Sequence, residues 1–320
     1  MALFDLPLTE LRQHRSATPE PADFDAFWSA TLEQARELAA PAVLTAADTG
    51  LRAVDTTDVT FTGYGGQPVK AWLNRPAGAE GPLPVVVEFI GYGGGRGYPH
   101  DWLLWSAAGY AHLVMDTRGQ GGGWRAGETP DPDGSGPQSP GFLTRGVLDP
   151  HTFYYRRLIT DAVRAVETAR ALPFASDVLV SGISQGGGLA LAAAALSDQV
   201  AGVIAGVPFL CDIRRAVTIT DRAPYAEFVA FCRLDPARAA RALSTVDYVD
   251  GVHFAPRITA PALVSAALMD LTCPPSTVFA AYNALGGPKE LELYEWDGHD
   301  GGQGHFSARC VTFANTLLGR

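Results

Sequence analysis

The run Gly182-Ile183-Ser184-Gln185-Gly186 constrains this chain more than any other feature, because it fits Gly-x-Ser-x-Gly. That pattern marks the sharp turn which lifts a serine hydroxyl from the end of a strand onto the start of a helix. The flanks agree: Val178-Leu179-Val180 reads as a short buried strand, and Leu189-Ala190-Leu191-Ala192-Ala193-Ala194-Ala195-Leu196 as a helix. Glycines two before and two after the serine permit a strained backbone and close packing of helix on strand, which a β-carbon would obstruct. A surface turn can match the pattern by chance, so the reading depends on finding partners for Ser184.

On such a scaffold the partners follow in the order Ser, Asp or Glu, His. Pro261-Ala262-Leu263-Val264-Ser265-Ala266-Ala267-Leu268-Met269 is nearly continuous in apolar residues, as a parallel strand covered on both faces would be, and Asp270 stands at its end. Leu291-Glu292-Leu293-Tyr294-Glu295-Trp296 alternates like a further strand, and His299 lies in the glycine-rich loop after it. Sites in open α/β sheets form at the carboxyl ends of strands, so three strand ends bring Ser184, Asp270 and His299 to one edge. His299 would take the serine proton while Asp270 holds the imidazole tautomer. Asp270 could instead cap the turn into Cys273-Pro274-Pro275. Among the seven histidines only His305 rivals His299, and it opens a helical pattern that suits packing or solvent better.

An oxyanion hole needs two backbone N–H donors. One is Gln185, next after the serine; the other belongs on the loop after an earlier strand. Pro84-Val85-Val86-Val87-Glu88-Phe89-Ile90 is that strand and Gly91-Tyr92-Gly93-Gly94-Gly95 that loop, with the Tyr92 N–H as the best candidate. Glycine runs also cradle phosphates, but no Gly-Lys-Ser/Thr ending follows, which argues against nucleotide binding.

These residues resemble the acetyl xylan esterase and cephalosporin C deacetylase family, carbohydrate esterase family seven, over nearly the whole chain. The likeness is carried by Arg118-Gly119-Gln120, Gly182-Ile183-Ser184-Gln185-Gly186 and His299 with an acidic neighbour. It extends through Gly141-Phe142-Leu143-Thr144-Arg145-Gly146, Phe209-Leu210-Cys211 and Cys273-Pro274-Pro275-Ser276-Thr277-Val278-Phe279-Ala280-Ala281-Tyr282-Asn283. One departure stands out: the family's His-Glu pair is His299-Asp300 here, a shorter carboxylate whose orienting role is left open. The resemblance implies an α/β-hydrolase fold, with a mostly parallel sheet flanked by helices. It places the triad on Ser184, Asp270 and His299 and the oxyanion donors on Tyr92 and Gln185. It further implies a small acyl pocket around Tyr92, Trp124, Phe209 and Pro224, and Arg118 as a buried brace. No cofactor is implied, and the assembly would be a homohexamer built as a dimer of trimers.

Residues 1–320 suit a single catalytic domain, with 47% hydrophobic residues for a substantial core. A net charge of −10 with scattered Lys and Arg disfavours nucleic acid and anionic membranes as partners. The N-terminus lacks a basic lead and an apolar segment, so a soluble cytoplasmic protein is expected. Cys211, Cys232, Cys273 and Cys310 are widely spaced and form no Cys-x-x-Cys, which leaves no metal motif and predicts reduced thiols. Residues 21–38 read as an amphipathic N-terminal helical arm, with Phe24, Phe27, Trp28, Leu32 and Leu38 on one stripe. Short alternating runs between residues 54 and 73 suggest antiparallel strands. The Gly/Pro-rich stretch 119–150 is too long for an ordinary connection. It carries Trp124, Phe142 and Leu143 to bury, and by resemblance is an ordered interface loop. The segment 208–256 is expected to cover the pocket. The leading reading is a serine esterase for small or oligomeric acetylated substrates. The rivals are a longer-chain carboxylesterase or peptidase of the same fold, or a non-catalytic binding module.

Overall fold

Alternation along the central strands decides the architecture. In Leu83–Phe89, Val85, Val87 and Phe89 join one apolar cluster, shared with the helices Tyr154–Arg170 and Gln185–Ala195. Val86, with Leu179, Ile204 and Leu263 of neighbouring strands, joins another on the opposite face, against Trp105, Phe306 and Phe313. A strand apolar on both faces must be covered on both faces. The computed structural model describes all residues except Met1, Ala2, Ser135, Pro137 and Gln199. The start of the N-terminal reading and two positions of the 119–150 stretch therefore lie outside the described residues.

The strands are β1 (Val43–Ala47), β2 (Val54–Thr62), β3 (Pro68–Pro76), β4 (Leu83–Phe89), β5 (Ala111–Met115), β6 (Ala175–Ile183), β7 (Gly202–Gly206), β8 (Ala262–Ala267) and β9 (Lys289–Tyr294). They form one nine-stranded sheet in the order β1-β2-β3-β5-β4-β6-β7-β8-β9. The first four in that order pair antiparallel, as the sequence suggests for β2 and β3, and from β5 to β9 every pairing is parallel. This is a mostly parallel sheet flanked by helices. The carboxyl ends of β4, β6, β8 and β9 lead into the Tyr92 loop, Ser184, Asp270 and His299.

The N-terminal helix is Phe24–Glu37, and its buried side chains include Phe24, Phe27, Trp28 and Leu32. Leu38 departs from the expected stripe: it follows the last helical residue and is 55% exposed. The helix lies against the body of the molecule, where Trp28 Nε1 donates to the Tyr248 carbonyl at 2.9 Å and Arg156 Nε to Thr31 Oγ1 at 3.0 Å.

The 119–150 stretch is held by two buried carboxylates. Asp116 accepts from the backbone N–H groups of Arg96, Glu128 and Thr129 at 2.7, 2.7 and 2.8 Å. Asp131 accepts Nε and Nη2 of Arg157 at 2.9 and 2.8 Å. Leu143 is fully buried within the same chain and Phe142 packs edge-on against Tyr92. This chain itself supplies packing partners to both. Of the three apolar side chains expected to seek cover, Trp124, 54% exposed, remains open. Between β7 and β8 the chain forms the helices Ile213–Ile219, Tyr225–Leu234, Pro236–Val246 and Gly251–Phe254. This insertion contributes Ala223 and Pro224 to the wall of the cavity described next. No described helix is long and apolar enough to cross a membrane.

Candidate active site

Ser184 sits between β6 and the helix Gln185–Ala195 with φ 57° and ψ −119°, a conformation that side chains rarely adopt. Its N–H donates to the Gly206 carbonyl at 2.8 Å, and its own carbonyl accepts from Phe209 N–H at 2.9 Å, so the strain is held in place. The flanking glycines are required: a β-carbon on Gly182 would fall 2.3 Å from the Gly186 carbonyl carbon, and one on Gly186 would fall 2.1 Å from the Phe89 oxygen.

The partners expected from strand ends converge on this serine. Ser184 Oγ lies 2.9 Å from Nε2 of His299, and Nδ1 of the same ring lies 2.8 Å from Asp270 Oδ2. With Asp270 ionised, Nδ1 carries the proton and Nε2 is left to accept. Asp270 is fully buried whereas the His299 side chain keeps 32% of its exposure. The capping alternative proves to be a second role of the same residue, since Asp270 Oδ1 accepts from Thr272 N–H at 2.8 Å and Cys273 N–H at 2.9 Å. His305 is exposed on the helix Gln303–Leu318 and takes no part in this arrangement. Asp300 is also exposed, which leaves Asp270 as the carboxylate on the imidazole.

The serine opens onto a cavity of about 470 Å³ whose wall includes Gly91, Tyr92, Trp102, Trp124, Ile183, Pro224, Thr272 and His299. The Tyr92 loop is tied down on several sides. Trp124 Nε1 donates to the Tyr92 carbonyl at 2.9 Å, and Gly93 N–H donates to Gln120 Oε1 at 2.6 Å. Gln120 Nε2 donates to Gln185 Oε1 at 2.9 Å, while Gln185 Nε2 donates to the Ile90 carbonyl at 3.1 Å. One glutamine therefore bridges the Tyr92 loop and the residue after Ser184, the two places expected to supply oxyanion donors. Arg118 is a brace, fully buried, with Nε and Nη2 donating to Asp161 at 2.5 and 2.8 Å and Nη1 to Gln67 at 2.6 Å.

Of the expected acyl-pocket residues, Tyr92, Trp124 and Pro224 line the cavity. Phe209 does not. It is fully buried one layer behind, with its ring 6.2 Å from that of Tyr92 and 4.8 Å from that of Tyr225. The rings of Tyr92, Tyr155 and Tyr225 pack around it there. Sequence reasoning misses Glu88, Trp102, Arg125 and Thr272 in the wall. Only Thr272, beside the recognised Cys273, carries a positional signal.

The donor atoms of Asp270, Cys273 and His299 lie within 4.8 Å of one another, close enough on distance alone to hold a metal ion. Asp270 and His299 are already committed to each other and to Ser184. Burial pushes the Cys273 thiol well up, away from the thiolate a metal requires. The donor set fits a hydrogen-bonded relay better than a metal centre. All four cysteines are unpaired thiols.

Sheet order, the strained serine and the Ser, Asp, His succession along the chain define an α/β-hydrolase. The chain belongs to the acetyl xylan esterase family (AXE1), whose model matches residues 1–317. The acetyl esterase Axe7A of Xylanibacter ruminicola is 30% identical over 285 residues, 85% of this chain, and this chain spans 62% of that relative's length. Two solved structures are similar throughout. The acetyl xylan esterase from Paenibacillus sp. R4 is 37% identical with a TM-score of 0.90, covering 96% of this chain and 99% of that one. Acetyl Xylan Esterase 1 from Thermoanaerobacterium sp. JW/SL YS485 is 33% identical with a TM-score of 0.91, covering 98% and 99%.

Proposed function

We propose that this chain is a serine esterase that removes acetyl groups from small or oligomeric acetylated sugars and related esters by way of an acyl-enzyme. The observation that carries the reading is the unbroken chain Asp270, His299, Ser184, with contacts of 2.8 and 2.9 Å, opening onto a cavity. Ser184 Oγ attacks the acetyl carbonyl as His299 Nε2 takes its proton. The tetrahedral oxyanion is received by the N–H groups of Tyr92 and Gln185. The bond to the alcohol then breaks, and His299 returns the proton to the leaving oxygen. Water repeats the sequence on the acetyl-enzyme and releases acetate. Acetylated xylo-oligosaccharides are the substrates favoured by the family likeness, and cephalosporin C-like esters are proposed on the resemblance alone.

The acyl side is the closed end of such a site, and Tyr92 and Pro224 crowd the wall. Overfilling a packed pocket by a few methylenes costs about 1–3 kcal/mol, roughly 10- to 200-fold in rate. p-Nitrophenyl acetate is therefore expected to exceed the butyrate by at least about tenfold in kcat/KM, with octanoate barely turned over. A rate that rises toward octanoate would point to a longer-chain carboxylesterase. Failure to react with a fluorophosphonate probe would point to a non-catalytic module. The homohexamer is proposed from the family likeness, and light scattering that returned only the 33.8 kDa chain at micromolar concentration would refute it.

A further inference from the structure

Glu227 takes no part in the path from Asp270 to Ser184, yet three separately folded segments meet on its carboxylate. It stands on the helix Tyr225–Leu234 of the insertion that also supplies Pro224 to the cavity. Tyr92 Oη donates to it, 2.8 Å from Oε1 and 2.7 Å from Oε2. Leu143 N–H, from the 119–150 stretch, donates to Oε2 at 3.2 Å, and Phe142 N–H donates to Tyr92 Oη at 2.5 Å. Gly141 presses so close that a β-carbon there would fall 2.2 Å from this carboxylate.

The arrangement is costly for a brace. The carboxylate is more than half buried and forms no ion pair among the described residues; Arg145, stacked over Phe142 at 4.2 Å, acts on it only at longer range. Burial accordingly pushes its carboxyl up, against the opposing effect of the bonds from Tyr92 and Leu143. A carboxylate nevertheless suits this position, because a hydroxyl and a backbone N–H both donate toward it and its oxygens accept from both. The residue it grips is the one whose N–H is assigned to the oxyanion. Trp124 holds the Tyr92 carbonyl from elsewhere, so Glu227 supplies the restraint on the side-chain end.

We propose that Glu227 is a positioning residue, which through the Tyr92 hydroxyl sets the Tyr92 N–H for the transition state and couples that setting to the seating of the insertion over the cavity. The proposal rests on the esterase reading above and concerns the same site. Loss of a whole oxyanion donor costs about 10²–10³ in kcat, so misplacing one is expected to cost about 10- to 100-fold.

The test compares Glu227→Ala, which leaves the Tyr92 hydroxyl without that acceptor where glutamine would keep one, with Tyr92→Phe and the double variant on p-nitrophenyl acetate. Each single change is expected to lower kcat about 10- to 100-fold with KM within about threefold, and the double variant to be no worse than the poorer single one, because both remove the same link. Retention of kcat within about twofold would overturn the proposal, as would a rise in KM at constant kcat or losses that simply multiply. Thermal unfolding monitors the fold. Should Glu227→Ala unfold early, Tyr92→Phe, which keeps the ring and deletes one oxygen, carries the test alone. Absence of turnover and of fluorophosphonate labelling in the unaltered protein would instead mark failure of the esterase reading itself.

Discussion

Replacing Asp270 by asparagine tests the relay most sharply, because the structure dictates which way the new amide must face. The carboxylate accepts from Thr272 and Cys273 N–H through Oδ1 and from His299 Nδ1 through Oδ2. Asparagine has one acceptor oxygen and one donor amide. Turning the amide toward Thr272 and Cys273 would leave two backbone donors unpaired in a fully buried position, at about 1–3 kcal/mol each. The oxygen therefore stays on those two N–H groups and the amide faces His299 Nδ1. That forces the imidazole proton onto Nε2, 2.9 Å from Ser184 Oγ, where a donor cannot accept the serine proton. The expected loss in kcat is about 10⁴-fold, or about 5 kcal/mol on the barrier at about 1.36 kcal/mol per decade. Both backbone bonds survive, so the midpoint of thermal unfolding should move little. Steady-state hydrolysis of p-nitrophenyl acetate alongside a melting curve makes the measurement. Activity within about tenfold of the unaltered protein would refute the reasoning, and so would inactivation explained by unfolding. The exposed Asp300 supplies the control, since Asp300→Asn should change kcat by less than about threefold.

Three further outcomes follow from the same geometry. Ser184→Ala should fold and lose about 10⁴-fold or more in turnover, and retention of a tenth of the activity would sink the nucleophile assignment. Arg118→Lys cannot reproduce the forked contact with Asp161 and leaves that carboxylate poorly paired in the interior, so urea unfolding should show a loss of about 3 kcal/mol or more; an unchanged midpoint would contradict the brace. Asp250, wholly buried, has its carboxyl raised by burial to about 7, against about 3.9 when unfolded. A raised carboxyl favours the protonated folded state, so its contribution to stability is full below about pH 4 and is lost as pH rises through about 7. Melting temperatures measured from about pH 4 to 8 should slope downward less in Asp250→Asn than in the unaltered protein, and equal slopes would contradict the assignment.

The relay residues are legible in the sequence because each sits where local physics leaves a mark. The glycines around Ser184 answer to backbone atoms that a β-carbon would meet at 2.1 and 2.3 Å, and the apolar run before Asp270 answers to a strand covered on both faces. Other features leave no such mark. Strand β1 escapes the reading because Val43 and Leu44 are 63% and 48% exposed, so its burial does not alternate. Phe209 falls to the cavity on sequence alone because residue type does not tell an aromatic in a wall from one a layer behind it. The stripe on Phe24–Glu37 runs one residue too far in the sequence, onto Leu38, where the helix has already ended. Glu227 meets Tyr92 across 135 residues, and a single polar contact between distant segments has neither period nor spacing to read.

The Arg118-Gly119-Gln120 element explains how the two proposed donors are kept in register without placing its charge beside them. Arg118 carries that charge, and it is spent on Asp161 and Gln67, away from the cavity wall. Two residues on, Gln120 presents a neutral amide that accepts from Gly93 N–H and donates to Gln185 Oε1, so it touches both donor segments at once. Tyr155 Oη donates to the same Gln185 oxygen at 3.0 Å, and Tyr154 Oη donates to the Arg118 carbonyl at 2.6 Å, which closes the circuit. Held in advance by this network and its remote ion pair, the two proposed donors need not reorganise as negative charge develops, which is the source of the rate gain in such a site.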